Sequence, residues 1–236
     1  MRENCLGLEG NLQRTEVKKV ACHQLVDEGL AIMRRRYGTG VGDGKTPLAY
    51  HNAVHTEDVF KAVEQISQLA VRGGKISTDQ AMLVLVAAAC HDIEQSLGRD
   101  ENERVSAEET AKMMVAKNVF TEREINEVKK LILATRIYFD EKRVMGQRVV
   151  LDDYLTLIIA DADLSTIGAP GELYWDRTLR LLREIKKVDS LSETEIREFA
   201  KGQVAFIRDH QFYTEEARFV FSNREENMKY AVSLWN

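Results

Sequence analysis

Ala81-Met-Leu-Val-Leu-Val-Ala-Ala-Ala-Cys90-His91-Asp92 runs ten apolar residues straight into an imidazole and a carboxylate. The apolar run has no polar face, so it reads as a helix through the middle of a core. It is too short for a bilayer, which needs about 20 such residues. Burying His91 and Asp92 at its end costs several kcal/mol unless something compensates them. A divalent cation would compensate both. Adjacent residues on a regular helix point about 100° apart, so both can face one ion only where the helix ends. Glu94, Gln95 and Gly98 follow at once and predict that end. The plainer alternative is a helix terminus whose histidine and aspartate are capped and solvated.

Outward from this run the chain reads as helices joined by short connectors. Apolar positions from Thr15 to Tyr37 follow the helical period, and four glycines between Gly38 and Pro47 mark a loop. A helix is expected from Ala53 to Val71, closed by Gly73-Gly74, and the central helix from Ser77 to Asp92. Ser106-Ala-Glu-Glu109, Thr121-Glu-Arg-Glu124 and Ser192-Glu-Thr-Glu195 each have the form of a capping box opening a helix. Gly146 marks a loop before a helix over Asp152–Leu164, and Gly168-Ala-Pro170-Gly171 breaks the chain again. Further helices are expected over Glu172–Val188, Ser192–Asp209 and Thr214–Leu234. Nothing alternates at period two. The expected fold is therefore all-α, a single-domain helical bundle over residues 15–236 behind a glycine-bearing arm or lead-in over residues 1–14.

Composition bounds the function. With 236 residues, 44% hydrophobic and 30% charged, the chain has ordinary globular make-up and can bury one generous core. A net charge of −5 offers no broad attraction for nucleic acid, and the runs Arg34-Arg35-Arg36 and Lys186-Lys187 read as solvated helix ends. Cys5, Cys22 and Cys90 share no metal-ligand spacing and cannot all pair, which suits a reducing compartment. The first twenty residues lack an apolar signal core. A cytoplasmic protein without membrane or nucleic-acid partners is expected; homo-oligomerisation is left open.

The motifs that carry chemistry lie on three helices. Tyr50-His-Asn-Ala-Val-His55-Thr-Glu-Asp58-Val puts His51 and His55 on one face of a helix start, with Asp58 one turn past His55 and able to orient it. A second apolar run, Leu157–Ala160, enters Asp161-Ala-Asp163-Leu. Residues i and i+2 on a helix point nearly opposite ways, so one aspartate should reach a shared centre. Asp163, sharing its face with Ile159, Ala160 and Ile167, is the choice over Asp161. His55, His91, Asp92 and Asp163 then offer two imidazoles and two carboxylates, a set suited to a divalent ion such as Zn, Mn, Fe or Mg. Such a centre can generate hydroxide near neutral pH and polarise a phosphoryl oxygen.

In that order, His55, His91-Asp92 and Asp163 on an all-helical chain resemble the HD-domain metal-dependent phosphohydrolases. The resemblance covers about Tyr50 to Phe221. Tyr50-His-Asn-x-x-His-x-x-Asp-Val is similar to the opening motif of the cyclic nucleotide phosphodiesterases, Asp163-Leu-Ser to their last metal-ligand segment, and Leu133-Ala-Thr to an intervening helix. YHNAVH, LILAT and DADLSTIGA are also similar to a group of bacterial HD proteins of unassigned phosphohydrolase activity. The resemblance implies an HD-type bundle in which His55, His91, Asp92 and Asp163 hold the first metal, with Asp92 free to bridge to a second. It implies His51 as general acid, where an ordinary pKa of about 6.5 suits the work. The plain alternative for His51 is a hydrogen bond at a helix start. The substrate implied is a phosphate ester, a nucleotide monoester or diester above all.

The chain departs from the phosphodiesterases where they have a second histidine, here Gln95, and where aspartate follows Leu-Ala-Thr, here Arg136. A second metal is thus in doubt, or rests on waters and Glu109. Arg136 could instead clamp phosphate, as could Lys142, Arg143 and Arg148, although a solvated loop also accounts for these three. Gln203-Val-Ala-Phe206 resembles the glutamine and phenylalanine that grip the base, and the same spacing suits core packing. His23 and His210 are not expected as ligands, His210 lying near a helix end that favours a cation. The di-iron oxygenases of the same scaffold need additional histidine ligands, and five histidines with two of them badly placed disfavour that reading. Besides the hydrolase, a non-catalytic sensor binding metal and nucleotide remains open.

Overall fold

The computed structural model describes residues 2–39, 44–98, 101–140, 143–147 and 149–235. In chain order these form α1 (Arg2–Tyr37), α2 (Ala53–Arg72), α3 (Thr78–Cys90), α4 (Asn102–Lys117) and α5 (Glu122–Ala134). A hairpin of β1 (Ile137–Asp140) and β2 (Arg143–Gln147) follows, then α6 (Tyr154–Asp163), a 3-10 turn over Ser165–Gly168, α7 (Gly171–Lys186), α8 (Glu193–Asp209), α9 (Glu215–Val220) and α10 (Arg224–Trp235). The fold is all-α, as the periodicity predicts, with this small hairpin added.

The apolar run is the axis of the bundle. α3 packs against α1, α2, α5 and α6, and every residue from Ala81 to Cys90 except Leu85 is buried. Leu83, Val84 and Val86 each contribute about 1.5–3 kcal/mol by leaving water. The Ser77 hydroxyl and the Gln80 side chain close a capping box at its start. α1 comes unusually close. A Cβ on Gly29 would sit 2.5 Å from the Ala89 carbonyl oxygen and 2.8 Å from Cys90 Sγ, so only glycine lets the two helices meet there. Residues 2–14, expected as a lead-in, continue the helical backbone of α1.

Three local expectations are corrected. The segment read as loop around Gly146 contains the antiparallel hairpin, with Ile137 opposite Gln147, Tyr138 opposite Gly146, and an irregularity between Tyr138 and Phe139. Gly146 sits there at φ 113°, where a side chain would be strained. Strands this short show too few alternations to register as period two. Ser106 does not open a helix. α4 starts four residues earlier, and the Ser106 hydroxyl accepts from the Glu94 N–H at 3.0 Å. The single helix expected over Thr214–Leu234 is two, α9 and α10. Asn227 Nδ2 donates to the carbonyls of Ile167 and Ala169, and a Cβ on Gly168 would lie 2.2 Å from the Phe221 oxygen. Tertiary contact with the turn after α6 therefore sets the break. The boxes at Thr121–Glu124 and Ser192–Glu195 form as expected.

Candidate metal centre

α2 begins where its own sequence tells it to. Asn52 caps it, its side-chain oxygen accepting from Val54 N–H at 2.9 Å while its amide donates to the carbonyls of Leu48 and Ala49. That start aims His55, one turn in, at the end of α3. α3 stops at Cys90, with His91 at its C-cap, φ −62° and ψ −32°, and Asp92 in the turn that follows. The turn beyond is held by α1. Tyr37 Oη accepts from Gln95 N–H at 2.7 Å, and Arg36 donates to the Ile93 carbonyl. α6 delivers Asp163 from the third side.

The four expected ligands converge. His55 Nε2 lies 3.3 Å from Asp163 Oδ1 and 3.6 Å from Asp92 Oδ2. His91 Nε2 lies 3.2 Å from Asp92 Oδ2 and 3.5 Å from Asp163 Oδ1. The residues are 3%, 1% and 5% exposed for His55, His91 and Asp92. His91 Nδ1 donates to the Ala88 carbonyl at 2.8 Å, which fixes Nε2 as the nitrogen facing the cluster. His91 Nε2 and Asp92 Oδ2 are buried with no hydrogen-bond partner. The ligand atoms of His55, His91 and Asp163 lie within 4.8 Å of one another, close enough to hold a metal ion.

Electrostatics point the same way. Burial opposes charge on His91, and the Asp92 and Asp163 carboxylates outweigh it, so its pKa stands well above the ordinary value. Burial likewise opposes ionisation of Asp92 and Asp163, and the imidazoles hold both below the usual carboxylate range. The cluster demands positive charge at its centre, which protons or a divalent cation can supply.

Between the neighbouring aspartates the geometry chooses Asp163. Asp161 faces the other way and closes the start of α9, accepting from Tyr213 N–H, Thr214 N–H and the Thr214 hydroxyl at 2.8, 2.8 and 2.7 Å. Burial nevertheless pushes its carboxyl up to about 6.

Around the cluster lie residues of other origin. His51 Nδ1 meets Glu184 Oε1 at 2.5 Å, and Glu184 Oε2 also accepts from the N–H of Tyr50 at 2.7 Å and of His51 at 3.0 Å. Glu184 lies 133 residues from His51, and no sequence motif marked it. Burial lowers the His51 pKa, and the Glu184 hydrogen bond with the charges of Asp92, Glu184 and Asp163 overcomes this, raising it to about 9. Two carboxamides were likewise unforeseen in their roles: Gln95 Nε2 donates to Asp92 Oδ1 and Gln147 Nε2 to Asp163 Oδ2, both at 2.8 Å. Gln147, 7% exposed, is carried in by the hairpin. The spacing of Gln95, one turn after Asp92, was the only available hint.

Other expected participants stand elsewhere. Asp58 does not orient His55 but accepts from Arg177 Nε at 2.7 Å, tying α2 to α7. Glu109 pairs with Arg36 at 3.2 Å. The guanidinium of Arg136, at the root of the hairpin, lies 5.4 Å from the Tyr138 ring centroid. Lys142 and Arg148 fall outside the described residues, as does the side chain of Arg143. Gln203 accepts from the Tyr174 hydroxyl at 3.4 Å, and Phe206 stacks on His210 at 5.6 Å with ring planes 14° apart. Both partners lie outside the ligand cluster. His210 is not a cation at a helix end: burial, and then Arg224, lower its pKa to about 4. His23 is exposed. A surface cleft bordered by Lys75, Asp79, Arg123, Glu127, Lys130 and Asp153 opens at the N-terminal end of α3, away from the cluster. No helix of the described residues is long and apolar enough to cross a membrane. Searches against family models and against curated proteins returned no match for the chain.

Proposed function

We propose that the chain is a divalent-metal-dependent phosphohydrolase of the HD type, acting on a phosphate ester and most of all on a nucleotide. The observation that carries this is the pair of buried, unpartnered ligand atoms, His91 Nε2 and Asp92 Oδ2, turned toward His55 and Asp163. Only 3.2 Å apart, the two are compensated either by a proton on His91 or by a cation in the space among the four side chains. His55, His91, Asp92 and Asp163 would hold the ion. An ion in that donor set lowers the pKa of a water toward neutrality and polarises a phosphoryl oxygen.

The protein's own groups supply the rest. Glu184 fixes the His51 ring through Nδ1 and leaves Nε2 to deliver a proton to the leaving oxygen. The carboxylate of Glu184 favours the protonated imidazole. The His51 side chain is 31% exposed, so a substrate can reach it from solvent. Arg136 offers a guanidinium to phosphate oxygens. The nucleotide reading rests on the resemblance of the segment Tyr50–Val59 to the opening motif of the cyclic nucleotide phosphodiesterases.

The test is a panel of phosphate monoesters and diesters, nucleotides and p-nitrophenyl phosphate among them, assayed on metal-free protein reloaded with Mn²⁺ or Zn²⁺. Metal-dependent turnover is expected, falling about 10²–10⁴-fold in His51→Gln and by less in Glu184→Gln. A folded, metal-loaded protein that hydrolyses nothing in the panel would make it a binding protein instead.

A further inference from the structure

The two carboxylates of the centre each have two oxygens, and the fold uses the two differently. Asp163 turns Oδ1 to both imidazoles, while Oδ2 accepts from Gln147 Nε2 at 2.8 Å. Asp92 turns Oδ2 to both imidazoles, while Oδ1 accepts from Gln95 Nε2 at 2.8 Å. One inner oxygen and one outer oxygen result on each residue, and both outer oxygens carry a neutral amide donor.

The clamps come from unrelated parts of the chain. Gln95 lies in the turn after α3, and Gln147 ends β2. Neither amide can reverse at low cost. Gln95 Oε1 accepts from Asn102 Nδ2 at 3.2 Å, so a reversed Gln95 would set amide against amide and oxygen against Asp92. A reversed Gln147 would set its oxygen against Asp163.

A second ion bridged to the first through both oxygens of a carboxylate would meet one of those outer oxygens. Paired metal centres hold their ions about 3.5–4 Å apart, a distance that a shared ligand spans. The Gln95 Nε2–H donor, 2.8 Å from Asp92 Oδ1, puts partial positive charge beside that oxygen and takes up one of its lone pairs. The nearby carboxylates are engaged as well. Glu94 accepts from Ser96, Glu109 pairs with Arg36, and Glu184 holds His51. Glu103, at the first turn of α4, keeps a buried Oε2 without a partner.

We infer that Gln95 and Gln147 are positioning residues that hold the centre to a single divalent ion by occupying the outer oxygens of its two carboxylates. This rests on the metal-centre reading above. It excludes Asp92 as a bridge and leaves the ion's open positions to water and substrate alone.

The experiment is a count of ions. Metal-free protein is titrated with Mn²⁺, and bound ions per chain are measured by equilibrium dialysis with elemental analysis. An electron paramagnetic resonance spectrum of the same samples distinguishes an isolated ion from an exchange-coupled pair. One isolated ion per chain is expected for the wild type, and two, with a coupled spectrum, for the double variant Gln95→Glu, Gln147→Glu. Should that variant fail to fold, Gln95→Met and Gln147→Met, which remove the N–H donors without adding charge, take its place. Each should weaken Mn²⁺ binding about tenfold, as loss of a partner to a metal ligand does. Two ions on the wild type would overturn the inference, as would a folded double variant that still binds one, or Met variants with unchanged affinity. A wild type that binds no ion would overturn the metal centre itself, a separate outcome.

Discussion

Two aspartates separated by one alanine are assigned opposite duties, and single substitutions should separate them. Asp161 accepts two backbone N–H groups and one hydroxyl in a site with no exposure. Asp161→Ala leaves three donors without an acceptor, and at about 1 kcal/mol each the fold should lose about 3 kcal/mol. For a chain of this length that corresponds to a fall in Tm of about 6–12 °C. The bound metal should remain. Asp163→Asn removes one charged ligand and should abolish stoichiometric metal binding and metal-dependent turnover. Unfolding in chelator should also come earlier, because the carboxamide keeps an oxygen for Gln147 but loses the charge that faces His55 and His91. The assay is thermal unfolding with and without chelator, beside elemental analysis of the dialysed protein. Metal lost from Asp161→Ala with its Tm intact, or a full complement of metal on Asp163→Asn, would refute the assignment.

Two further outcomes follow from the C-terminal half. Phe206 is half-buried against the core and stacked on His210, so Phe206→Ala should cost about 2 kcal/mol of stability and leave the ratio of nucleotide to p-nitrophenyl phosphate turnover unchanged. A KM raised for nucleotides alone would place a base against that ring. His210 has a folded pKa of about 4 against an ordinary 6.5, so the unfolded chain takes up a proton that the folded chain resists. Its contribution is present above pH 6.5 and is lost as pH falls toward 4, about 3 kcal/mol in all. His210→Gln should flatten the denaturant midpoint over that window, and an unaltered slope would show that His210 titrates freely when folded.

The axis of the bundle and the four side chains that cluster at its end, His55, His91, Asp92 and Asp163, were legible in the sequence. An unbroken apolar run can only be core, and a histidine and an aspartate at its end need compensation wherever they are buried. His55 followed from spacing within one helix start, and Asp163 from the phase of α6. All are local facts, set by residues within a turn or two of each other.

Tertiary structure decided what surrounds those side chains. Glu184 reaches His51 across 133 residues, and Gln147 reaches Asp163 from a hairpin too short to show its period. Asp58 was lost to Arg177, 119 residues away, and Ser106 to the Glu94 backbone. The break between α9 and α10 lies in Gly168 and Asn227, not in the residues at the break. A side chain's hydrogen-bond partner depends on which elements pack beside it, and periodicity along one helix carries no information about that. The clustered histidines and aspartates belong to the chain's local pattern; the groups that orient them belong to the packing.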